Sequence, residues 1–172
     1  MIPKQDLPAF YNVVVNADSH SLDSYNVLES FKFQPGIIVS LKRPVENLIS
    51  HLKEKGIELH EETHFIDGIS RSINHNLKVK NCVYLSSPDS LKELSVAIAK
   101  LADRLPLGER FLIFDSPQIA LREKNAKSRM FFLNHVTNQL RDYNLRGVFM
   151  TNHVSEKFKN QLAYFADCFI QV

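Results

Sequence analysis

Seven short, mostly unbroken apolar runs constrain the fold of this chain more than any other feature. They lie at Tyr11–Asn16, Ile37–Leu41, His64–Asp67, Cys82–Ser86, Phe111–Asp115, Val148–Thr151 and Cys168–Val172. A strand that faces water on one side alternates apolar and polar residues, whereas a strand covered on both faces does not. Runs such as Ile37-Ile38-Val39 and Phe111-Leu112-Ile113-Phe114 therefore read as strands of a buried parallel sheet. Helical stripes lie between most of them. Pro44–Lys55 carries Val45, Leu48, Ile49 and Leu52 on one face, and Gly56 is its expected C-terminal cap. The stretch from Pro88 to about Leu105 carries Leu91, Leu94, Ile98, Leu101 and Leu105, with Ser87 as expected cap and Pro88 in the first turn. Further helices are expected over roughly Ala126–Asn144, Ser155–Ala166 and Leu22–Phe33. Residues 71–80 are polar and weakly patterned, and read as an irregular connection. This order predicts an α/β fold of three layers, with a mostly parallel sheet of roughly five to seven strands and helices on both faces.

A chain of 172 residues is the size of one domain, and the expectation is a single domain over residues 1–172. Lys plus Arg is 21 against 19 for Asp plus Glu, which excludes a strongly basic nucleic-acid arm and an acidic disordered tail. Cys82 and Cys168 are the only cysteines and both sit in predicted strands, so they read as inert buried thiols in a reducing compartment. The N-terminus lacks the basic-then-apolar order of a signal peptide, and the apolar runs are far shorter than a membrane span. The expected setting is cytoplasmic, with no membrane partner.

In open parallel sheets, ligands bind beyond the carboxyl ends of the strands. Those ends read Asn16-Ala17-Asp18, Ser40, Asp67, Ser86-Ser87, Asp115-Ser116 and Thr151-Asn152-His153. Asp115 and His153 are the candidate catalytic residues of this rim, and Asp115, Ser116 and Asp67 the candidates for cofactor contact. For any one of them the competing role is helix capping, which needs the same residue types at the same junctions. Asp115 is the sharpest case, because an apolar run ending in Asp places a carboxylate near Mg²⁺ in P-loop hydrolases.

The order of elements carries a resemblance. "GIIVSLKRPVENLISHLKEKGIELHEETHFIDGISRS", Gly36 to Ser72, resembles the KaiC-like branch of RecA-type ATPases. "CVYLSSPDSLKELSVAIAKLADRL" and "FLIFDSPQIAL" resemble the helix before the Walker B strand and that strand, with Asp115 in the acidic position. "RGVFMTNH" and "ADCFIQV" resemble the next and final core strands. The likeness spans about residues 11–172 in element order and implies a RecA-type fold. It also implies ATP with Mg²⁺ as the family's ligand, and edge-to-edge assembly. One departure decides what to expect of activity. The family's phosphate loop follows the first strand, where this chain has Asn16-Ala17-Asp18-Ser19-His20-Ser21-Leu22-Asp23, without a glycine or a lysine. The loop works because glycines turn backbone N–H groups inward and a lysine reaches the phosphates. Here Asp18 and Asp23 would repel a triphosphate instead. The expectation is a catalytically degenerate RecA/KaiC-like domain with no bound cofactor and no metal, acting as a regulatory or protein-interaction module. Its expected partner is a second copy, or another KaiC-like or signalling protein.

Two other motifs supply alternatives. His60-Glu61-Glu62-Thr63-His64 matches His-Glu-x-x-His, the zinc-hydrolase pattern, which needs both histidines on one helical face. Gly56 ends a helix just before it and His64-Phe65-Ile66 reads as a strand, so the context opposes zinc. Arg122, Lys124, Lys127 and Arg129 lie beyond the Asp115 strand, where the resemblance implies a DNA-binding loop in RecA-like proteins. No aromatic interleaves them before Phe131, so the expected state is a solvated surface rather than a nucleic-acid site. An ATP-binding switch with an unconventional loop stands beside these as the remaining alternative.

Overall fold

The computed structural model describes residues 11–17, 24–75, 78–122, 124–152 and 154–171. The strands are β1 (Asn12–Ala17), β2 (Gly36–Ser40), β3 (Thr63–Asp67), β4 (Cys82–Tyr84), β5 (Phe111–Asp115), β6 (Arg146–Asn152) and β7 (Cys168–Gln171). The helices are α1 (Ser24–Phe31), α2 (Val45–Glu54), α3 (Leu91–Ala102), α4 (Pro117–Leu121), α5 (Ala126–Asp142) and α6 (Glu156–Ala163). All seven strands join one sheet in the order β4-β3-β2-β5-β6-β1-β7. Every pairing is parallel.

Alternate residues of each strand feed two separate cores. On one face Val13, Val15, Ile38, Phe65, Phe111 and Ile113 pack under α1 and α2. On the other, Val14, Ile37, Val39, Ile66, Leu112, Phe114 and Phe149 pack under α3, α4, α5 and α6. The layers are therefore three, as the unbroken apolar runs predict. Right-handed crossovers account for the split. The chain moves from β1 through β2 and β3 to β4 with its helices on one face, then returns through β5 and β6 to β7 with its helices on the other.

Local chemistry sets the element boundaries. Gly56 sits just past α2 at φ +69°, the left-handed conformation that ends helices and that a side chain resists. A Cβ on Gly147 would meet the Asn12 side chain and Leu140, so glycine lets α5 approach β6 closely. Ser155 caps α6 by accepting from the Phe158 N–H, and Asn125 caps α5 by accepting from the Ser128 N–H at 2.8 Å. The start of α3 differs from expectation. Ser87 does not cap it; its hydroxyl donates to Asp89, and the helix begins at Leu91. Glu93, in the first turn of α3, accepts from the Ser86 N–H at 2.8 Å and its hydroxyl at 2.7 Å, which ties the connection after β4 to the helix. Arg110, buried at the foot of β5, donates to the carbonyls of Ala102, Leu105 and Tyr143, tying the ends of α3 and α5 together. Among the described residues, no helix is long and apolar enough to cross a membrane.

Candidate functional site

Adjacent strands β2 and β5 send their connections to opposite faces, α2 on one and α4 on the other. A crevice opens at such a switch, beyond the strands' carboxyl ends. Ser40 and Asp115 are register partners there. Arg43, from the turn after β2, holds its guanidinium 3.9 Å from Asp115 Oδ2. The same guanidinium donates to the Tyr25 hydroxyl at 2.6 Å and lies over the Tyr25 ring. Ser40 Oγ donates to the Arg43 carbonyl at 2.7 Å, which fixes the turn. Asp115 is mostly buried, and its Oδ1 accepts from the Ser116 hydroxyl at 2.9 Å. Ser116 reaches that position with φ at +61°, an uncommon conformation for a non-glycine residue. Its N–H donates to the Met150 carbonyl at 3.0 Å. Beside this pair, Thr151 donates to Asn16 Oδ1 at 2.8 Å across β6 and β1, and both are buried.

Asp67 stands apart from this cluster in role. It is about 1% exposed, and each of its oxygens accepts two hydrogen bonds. Oδ1 takes the N–H groups of Ile69 and Ser70 at 2.8 Å, and Oδ2 takes the Val45 N–H at 2.8 Å and the Ser70 hydroxyl at 2.7 Å. Such a carboxylate caps the start of α2 and pins the turn after β3, leaving little capacity for a ligand. It also acts on Cys82, whose thiol is pushed up to about 12, first by burial and then by the Asp67 charge. A thiol held that high is protonated at neutral pH and a poor nucleophile.

The four basic candidates separate. Arg122 and Arg129 line one cavity of about 400 Å³ beneath α4 and α6. Lys124 pairs with Asp89 at 3.4 Å, and the Asp89 carboxyl is held below its usual value, chiefly by the Ser87 hydroxyl. Lys127 lines a different, largely apolar groove of about 570 Å³ between α3 and α5, beside Val96, Phe131 and His135. His153 lies outside the described residues, as do Asp18 and Asp23. Arg43 is the residue that sequence reasoning missed at this site. Its one signal is a basic side chain just past a strand end, which means little until the strand order is known.

The His-Glu-x-x-His match does not form a helix. His60 lies on the approach to β3, where its Nδ1 accepts from the Glu62 N–H, while His64 is within β3. Among the described residues no three His, Cys, Asp or Glu side chains gather as a metal site would require. His64 is buried with neither ring nitrogen hydrogen-bonded. Its pKa is lowered, first by burial, against the opposing pull of Glu62 and with the help of Arg104. The unfolded chain takes up a proton at the ordinary imidazole value and the folded chain only lower, so acid favours unfolding. This contribution is fully present above about pH 6.5 and is lost as pH falls through the lowered folded value. Urea midpoints measured between about pH 7.5 and about pH 5.5 should fall less for His64→Phe than for the native chain.

Comparison by sequence finds no matching family model and no matching curated protein. Comparison by structure is informative. The KaiC-like protein PH0186 from the hyperthermophilic archaeon Pyrococcus horikoshii OT3 aligns over 93% of this chain and 71% of its own, with TM-score 0.62 and 12% identity. A second solved structure, of an ATPase domain, aligns over 96% of this chain and 70% of its own, with TM-score 0.64 and 10% identity. The fold is RecA-like. At such identities the likeness concerns the fold alone, and function has to be argued from this chain's own residues.

Proposed function

We propose that this RecA-like chain is a binding and regulatory module that does not hydrolyse ATP. The observation that carries the reading is the Arg43–Asp115 contact. Asp115 occupies the strand end where a RecA-type ATPase would use a carboxylate near Mg²⁺. Here one of its oxygens accepts from Ser116, and a guanidinium already stands beside the other. A divalent cation brought to this carboxylate would meet the fixed positive charge of Arg43 at close range in a mostly buried crevice, which is repulsive. The preceding segment, Asn16 to Asp23, has neither glycine nor lysine to cradle phosphates. The residues present therefore do not suit Mg²⁺–ATP, and the crevice is read as a structural remnant of the fold.

Two surfaces support a role in binding other proteins. β7 is a sheet edge whose one strand partner among the described residues is β1, leaving a row of backbone groups on its outer side. Phe131 is 74% exposed and Val96 59%, side by side on the α3–α5 groove. The partner in this reading is a second copy of the chain or another RecA-like or signalling protein. Titration calorimetry with ATP and Mg²⁺ tests the first half of the proposal. No Mg²⁺-dependent binding that requires Asp115 is expected at micromolar concentrations. Micromolar, Mg²⁺-dependent binding that Asp115→Ala abolishes would establish an ATP-binding switch instead.

A further inference from the structure

The cavity between α4, the start of α5 and α6 holds a combination that no part of the Asp115 crevice shares. Its basic lining side chains are Arg122, Arg129 and Lys157, and no Asp or Glu lines it among the described residues. Three of its polar atoms are buried without a hydrogen-bond partner: Gln118 Oε1, Gln161 Oε1 and Arg129 Nε. Buried polar atoms are almost always paired, so three orphans around one cavity are a notable concentration. Their chemistry is mixed. The two glutamine oxygens require N–H or O–H donors, whereas the arginine Nε–H requires an acceptor. The Gln118 amide is oriented by donating its Nε2 to Asn152 Oδ1 at 3.3 Å, which turns Oε1 to the acceptor role. The start of α6, capped by Ser155, adds backbone N–H groups and the positive end of a helix on the same side. Phe158, which lines the cavity, gives it an apolar wall.

We propose that this cavity binds a mononucleotide. The anionic group meets Arg129, Lys157 and Arg122, the N–H groups of the base satisfy Gln118 and Gln161, and the ring lies against the apolar wall. A simple anion would answer the arginine but leave both glutamines unsatisfied, and a neutral base would do the reverse. The cavity's volume of about 400 Å³ suits a single nucleotide unit. The site is separate from the crevice at Asp115 and does not depend on how that crevice is read.

Calorimetric titration of the full chain with each nucleoside monophosphate, without Mg²⁺, tests the assignment. At least one should bind more than tenfold tighter than inorganic phosphate. Arg129→Ala and Gln161→Leu should each weaken it about tenfold or more, with Asp115→Ala unchanged and melting temperatures confirming that the variants fold. Amide spectra should show the side-chain NH₂ signals of Gln118 and Gln161 moving on binding. No binding by any monophosphate at millimolar concentration would overturn the proposal. So would phosphate binding as tightly as every nucleotide. A single-stranded oligonucleotide that binds through Arg129 when no free nucleotide does would assign the cavity to a strand rather than a metabolite, and would equally overturn it.

Discussion

Replacing Asp67 with alanine is expected to lower the melting temperature by about 10 °C. The carboxylate is buried and accepts four hydrogen bonds, three of them from backbone N–H groups. Removing it strands those donors away from water at a cost of roughly 1–3 kcal/mol for each one left unsatisfied. Part of the cost is relieved as α2 frays and admits solvent, so a net loss of about 4 kcal/mol is expected. For a chain of this size each kcal/mol is worth about 2–4 °C. Asp67→Asn keeps an acceptor oxygen on a side chain of similar size and should lose roughly half as much. Thermal melts of the three proteins check the ordering. If Asp67→Ala melted like the native chain, the account of Asp67 as the shared anchor of α2 and the β3 turn would be wrong.

The second large effect is expected at Phe114. Its side chain is fully buried under the α3–α6 layer, and its ring lies 5.9 Å from that of Phe149. Phe114→Ala removes most of that volume from a packed centre between sheet and helices, where little can collapse to fill it. A loss of about 3–5 kcal/mol is expected, measured as a shift in urea midpoint at constant slope. Phe131→Ala is the matched control. It deletes the same atoms from a ring that is 74% exposed and should change stability by less than about 0.5 kcal/mol. The contrast also bears on function, because Phe131→Ala is a variant that should alter partner binding without altering the fold.

Much of the architecture was legible because the sheet is buried on both faces. All seven apolar runs became strands, and Phe111–Asp115 matched to the residue. The long helices were legible for a similar reason, since each buries a stripe at helical spacing. α4 was not, because five residues from Pro117 to Leu121 are too few to display a stripe. The start of α3 differs because the expected cap, Ser87, gives its hydroxyl to Asp89 instead, and the helix begins only at Leu91.

The site was legible only in outline. A strand end announces its polar residues, so Asp67, Asp115 and Ser116 could be singled out. Which of them is occupied by the protein's own backbone depends on turn geometry, and Asp67 shows how complete that occupation can be. Arg43 was hidden because its neighbour is set by which strand lies beside β2. That pairing joins the second strand to the fifth, and no local pattern encodes it. Gln118 and Gln161 were hidden for a different reason: uncharged amides carry no pattern, and become informative only when buried without a partner.

The sheet order also governs the timing of assembly. β2, β3, β4 and β5 form a contiguous half of the sheet, and all four leave the ribosome before β6. β1 emerges before them, yet both of its neighbours, β6 and β7, are made after every other strand. The valines of β1 must therefore stay unsheltered while the rest of the sheet forms. Closing so long a loop is slow, and an unpaired apolar strand is the kind of segment that aggregates or is held by chaperones. A stalled or shortened chain that stops before β6 would leave β1 without either neighbour, and a lesion near the end of this sequence would unmake the structure at its beginning.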